Sequence, residues 1–121
     1  MNEFDEARLD GARLDELEAD VGPEELAALM DLVLDDLPVQ HAAVVAGVVA
    51  GDPAAVARAA HTLKSLAALI GAGPVRDRAR EIEALATDGR LDADGLRLGD
   101  LRDAVATAMT RLEARRHRPD G

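Results

Sequence analysis

The sequence predicts an all-α fold: an antiparallel up-down-up-down four-helix bundle with a short extra helix at the N-terminus. Three observations predict it. Apolar residues recur at helical spacing along most of the chain, and Pro and Gly sit where helices start and stop. Aromatic residues are 1% of the 121, from Phe4 alone, while 48% are hydrophobic. The core must therefore be Leu, Val, Ala, Ile and Met, a set that suits closely spaced helices. Strand formers are sparse beside good helix formers. The length predicts one domain over residues 1–121, with its core at about 9–115 and a frayed tail at 116–121.

The elements follow in order. Residues 9–21 carry Leu9, Leu14 and Leu17 among charged residues, a short amphipathic helix closed by Gly22. Pro23-Glu24-Glu25 opens the next, with proline at the first position and two carboxylates at the positive end of the dipole. Its apolar positions are Leu26, Leu29, Met30, Val33, Leu34 and Leu37, then Val44, Val45, Val48 and Val49 in nearly the same phase. Pro38 interrupts the run, but the phase carries through, so one long kinked helix is expected. Gly51 ends it.

Asp52 caps a third helix, with Pro53 at its first position and Gly71 at its end. Pro74 opens a fourth, with Val75, Ala79, Ile82, Leu85 and Ala86 on one stripe, stopping before Asp88-Gly89. Residues 89–94 read as a loop. The last helix shows Leu98, Leu101, Val105, Ala108, Met109 and Leu112 and ends among basic residues. Short connections between long helices imply antiparallel neighbours.

A formal net charge of -10 argues against a nucleic-acid or anionic-membrane surface. Without cysteine there is no disulfide, thiol nucleophile or thiolate metal site. The acidic start is not a secretory signal. No apolar run is expected to approach the roughly 18 residues that span a bilayer. A soluble, cytoplasmic monomer is expected.

On the third helix Val56, Ala59, Ala60, Leu63, Ala67 and Ile70 share the apolar face. His61 falls roughly opposite its centre. Ala57, Lys64, Ser65 and Ala68 lie beside it, so the imidazole should stand in solvent among mostly small neighbours. Lys64, the sole lysine, is in reach at i+3. A lone histidine on a helix is more often an inert surface residue; here the apolar opposite face and small neighbours count against that.

The run His61-x-Leu63-Lys64-x6-Gly71-Ala72 resembles the signature of histidine-containing phosphotransfer (HPt) domains. Gly51-Asp52 before it and Ile82-Glu83 after it extend the resemblance from about Leu9 to about Leu112. Ser65 stands where the family commonly has glycine. The resemblance implies a histidine phosphocarrier of a two-component phosphorelay, accepting a phosphoryl group on His61 from the aspartate of one receiver domain and passing it to another. Lys64 would stabilise the phosphate. Ala57, Ser65 and Ala68, with Leu69 at the edge, would form the docking surface by being small, with Gly71 at the helix end nearby. Glu83 falls at a family position often polar and near the histidine; from this sequence alone it reads as a solvated helix glutamate, with support of the site as the alternative.

The implied partners are response-regulator receiver domains and a sensor or hybrid histidine kinase. The Mg²⁺ and most catalytic groups would lie on the receiver, and this chain would need no cofactor of its own. No glycine-rich phosphate loop marks an ATP site, and no Glu-x-x-His motif marks a metal site, so neither autokinase activity nor a bound metal is expected. The chain would be a carrier rather than an enzyme. Two other readings stay open: a phosphoacceptor domain fed directly by a chemotaxis-type kinase, and a non-catalytic helical adaptor that binds receiver domains.

Overall fold

In the computed structural model residues 11–117 are described, and among them every regular element is helical. In chain order these are α1 Gly11–Val21, α2 Pro23–Ala50, α3 Pro53–Ile70, α4 Gly73–Thr87, the single turn α5 Ala93–Leu96, and α6 Leu98–Arg116. Leu9, Phe4 and residues 118–121 lie outside the described residues.

α2 packs on α3 and α6, α3 on α4, and α4 on α6, while α1 lies along α2 and touches α3. The core between them is aliphatic. Leu37, Val44, Val56, Leu63, Ile82, Leu101 and Leu112 are each fully buried, and no polar or charged side chain is buried among the described residues. Leu14 and Leu17 seat α1 on this core, as its apolar spacing predicts.

α2 is one continuous helix through Pro38. Proline is tolerated there because packing on both sides outweighs the lost hydrogen bond. At Gly47 the backbones of α2 and α3 approach closely: a Cβ there would come 2.7 Å from Val56 Cγ2 and 3.2 Å from Val56 N. Glycine at this point sets the distance between the two helices. α2 ends at Gly51, and Asp52 caps α3 by accepting from the backbone N–H of Ala55 at 3.1 Å.

Four sequence expectations need correction. First, Val45 and Val49 do not face the core; with Leu32 and Val39 they are exposed, 84% in the case of Val49. α2 is apolar on nearly all sides, so periodicity alone could not choose its buried face. Second, and for the same reason, α2 contains an 18-residue window of mean hydropathy 1.5, long and apolar enough by composition to cross a membrane. Residues 37–50 contain no Asp, Glu, Lys or Arg, which the expectation of no such run overlooked. Third, residues 89–94 are not all loop. Asp92 accepts from the N–H of Gly95 at 2.9 Å, opening α5, and α5 places Leu96 in the core. α4 also begins one residue before Pro74, at Gly73.

The end of α6 is tied down by charge. Arg116 donates to both oxygens of Asp31 on α2, at 2.9 and 3.3 Å, and Arg115 donates to Asp15 on α1 at 2.9 Å. The Arg116 guanidinium holds the Asp31 carboxyl below its usual range. These pairs are exposed, so they fix where the helix ends meet more than they stabilise the fold.

Candidate functional site

The site is built on the outer face of α3 and the flank of α4. Burial of Val56, Ala59, Ala60, Leu63, Ala67 and Ile70 turns the opposite side of α3 outward, and His61 stands there with its side chain 60% exposed. Ala57 is half-buried and Ala68 exposed, so little bulk surrounds the ring. Ser65 donates its hydroxyl to the carbonyl of His61 at 3.2 Å, which folds the side chain back along the helix.

Ile82 anchors α4 in the core and thereby aims the next residue, Glu83, at α3. One carboxylate oxygen of Glu83 lies 2.8 Å from His61 Nδ1, and the other accepts from Lys64 Nζ at 2.6 Å. The structure thus brings His61, Lys64 and Glu83 together. Glu83 is only partly exposed and is not the solvated glutamate that the sequence alone suggests.

The protonation pattern follows from this geometry. The hydrogen bond from Lys64 is the main cause holding the Glu83 carboxyl below its ordinary value; the bond to His61 adds to it, against some desolvation. An ionised carboxylate can only accept, so Nδ1 of His61 must carry the hydrogen. In the neutral ring the lone pair is then on Nε2, on the side away from Glu83. A partly exposed imidazole with its nucleophilic nitrogen fixed outward is suited to in-line attack on a group presented by another molecule.

The remaining expected positions surround this triad unequally. Leu69 is half-buried, and its carbonyl accepts from Arg13 Nε at 3.2 Å, so α1 is fastened beside the C-terminal end of α3. Gly71 takes the left-handed conformation (φ 75°) that ends α3. Arg76 and Arg80 pair with Asp77, and Arg78 with Glu81, so α4 directs its arginines to its own acids. Among the described residues no group of three or more His, Cys, Asp or Glu side chains could hold a metal ion.

The fold and this site define a helical protein presenting one outward histidine supported by a lysine and a glutamate. The sequence model of the Hpt domain matches residues 28–115. The chain belongs to the Hpt domain family, whose members serve histidine phosphotransfer in phosphorelays. Its fold is similar to the crystal structure of histidine-containing phosphotransfer protein B (HptB) from Pseudomonas aeruginosa PAO1. The TM-score is 0.85 at 23% identity, over 93% of this chain and 97% of that one. No curated protein matches the chain.

Proposed function

We propose that this chain is a phosphocarrier in which His61 accepts a phosphoryl group on Nε2 from the aspartate of one receiver domain and hands it to another. The long helices α2, α3, α4 and α6 form the antiparallel four-helix bundle of a single domain that displays it. The observation that carries this reading is Glu83 held between His61 Nδ1 and Lys64 Nζ.

In the transfer the Nε2 lone pair attacks phosphorus, and the bond from phosphorus to the donor's carboxylate oxygen breaks with its electron pair left on that oxygen. The hydrogen on Nδ1 stays in place. Positive charge grows on the ring as the N–P bond forms, and the Glu83 carboxylate 2.8 Å away stabilises it. Lys64 keeps Glu83 ionised with one N–H and offers the other two to the phosphoryl oxygens.

The chain supplies an oriented nucleophile; the Mg²⁺ and the acidic pocket belong to the receiver. Ala57, Ser65 and Ala68 let that pocket approach within the roughly 3–3.5 Å that in-line attack needs, with Leu69 as an apolar contact at the edge. A soluble cytoplasmic carrier without its own ATP site fits this division of labour. The test is Ala68→Arg, which adds bulk on an exposed position one to two turns from His61. It should block transfer from a labelled receiver domain while leaving loading by phosphoramidate intact. Transfer from the receiver at the unaltered rate would show that the partner does not approach over Ala68.

A further inference from the structure

Glu83 holds Nδ1 of His61 and, through its other oxygen, holds Lys64 on the same flank, so Nε2 and whatever it carries face away from Glu83, with Lys64 to one side. On the other flank is Arg58. At about 100° per residue, i−3 and i+3 lie roughly 60° to either side of a helix position, so Arg58 and Lys64 bracket His61. Side chains three apart on a helix are about 5–6 Å apart at Cβ, within reach of a guanidinium.

Arg58 is exposed and, unlike most arginines here, unpaired. Among the described residues Arg58, Arg90 and Arg111 have no carboxylate within the 4.0 Å of an ion pair, whereas the others do. Arg90 follows α4 and Arg111 lies on α6; Arg58 alone of the three is on the histidine helix. In a chain with 24 acidic residues and a net charge of -10, an unpaired arginine one turn from the reactive ring is open to an external anion.

We propose that Arg58 is a phosphoryl-binding residue: its guanidinium closes on the phosphoryl oxygens carried by Nε2 of His61, opposite Lys64. A guanidinium presents two parallel N–H groups that match two oxygens of a phosphoryl group, which an ammonium cannot do. The two cations then hold the dianion from both sides while the receiver's aspartate approaches from the front. This inference rests on the reading of His61 as the phosphoacceptor.

Phosphoramidate gives the cleanest test because it needs no partner. The Nε2 lone pair forms the new N–P bond, the donor's P–N bond breaks, and ammonia leaves with that electron pair. ³¹P NMR then follows protonation of the phosphoryl group on the loaded protein as pH is lowered. The charged groups facing it are Arg58, Lys64 and Glu83. With Arg58→Gln the group should take up its proton at a pH higher by about half a unit, the size that an exposed ion pair gives. Arg58→Lys should fall between the two, and the difference should shrink in 1 M salt. Both variants should melt as the parent does, since the side chain is exposed. A phosphohistidine signal whose titration is the same in Arg58→Gln and the parent overturns the role of Arg58, leaving a solvated arginine. A signal that persists in His61→Gln overturns instead the reading of His61, and the role of Arg58 with it.

Discussion

Glu83 and His61 are 22 residues apart on neighbouring helices, yet a carboxylate oxygen of the first sits 2.8 Å from Nδ1 of the second. This contact decides which ring nitrogen is free. With Glu83→Ala, the neutral imidazole loses its fixed tautomer, and ¹⁵N spectra taken above the titration range of histidine should show hydrogen shifting from Nδ1 to Nε2. Phosphoryl acceptance should fall roughly tenfold, the lower end of what a hydrogen bond to a charged group contributes, about 1.5 kcal/mol. An unchanged tautomer would mean that something other than Glu83 orients the ring.

Lys64 acts on the same carboxylate. Its hydrogen bond is the leading reason the Glu83 carboxyl lies below its ordinary value of 4.5. The linked stabilisation is therefore complete above about pH 4.5 and is lost as pH falls through the lowered value. With Lys64→Met, a ¹³C titration should find Glu83 closer to its ordinary value, and the acid limb of the stability profile should flatten. A Glu83 titration that does not move would remove Lys64 from this role.

His41, half-buried on α2, titrates in the opposite setting. Desolvation, aided by the charge of Arg102, pushes its pKa below the ordinary 6.5. The unfolded chain then binds the proton more readily, so this residue favours folding above pH 6.5 and costs stability as pH falls through that value towards the lowered one. His41→Gln should remove that slope from urea denaturation midpoints measured between pH 7 and 5. A slope that survives the substitution would place its origin elsewhere.

Gly47→Ala tests the spacing of α2 and α3. Alanine should gain about 1 kcal/mol in helix propensity. The added methyl meets Val56 at both a side-chain carbon and the backbone nitrogen, and overpacking of this kind costs about 1–3 kcal/mol. Urea denaturation should show a net loss, whereas a more stable variant would mean that the helices separate freely.

Much of this architecture is legible in the sequence because local signals and packing agree. Asp52-Pro53 and Gly71 bound α3 in sequence and in structure alike, and the apolar spacing of α3 identifies its buried face without ambiguity. That same spacing turns His61 outward. α2 fails this test: apolar on most sides, it gives no periodic reason to leave Leu32, Val39 and Val49 exposed while burying Val33 and Val44. α5 was hidden because a single turn has too few residues for a period; its signal was Asp92 three residues before Gly95 and a lone Leu96. Glu83 needed the third dimension. Ile82 at a core position of α4 implies that its neighbour flanks the helix contact, but only the packing of α4 on α3 shows which two side chains it bridges.

The central claim is that His61 carries the phosphoryl group, and the location of labelled phosphate tests it most directly. The protein is incubated with a ³²P-phosphorylated receiver domain, and the label is followed through acid and base in the parent and in His61→Gln. The parent should acquire phosphate that is released in acid and retained in base, as a phosphoimidazole and unlike an acyl phosphate. His61→Gln should acquire none while keeping the parent's helicity and melting temperature, because the side chain is 60% exposed. Label retained by a folded His61→Gln protein would contradict the claim.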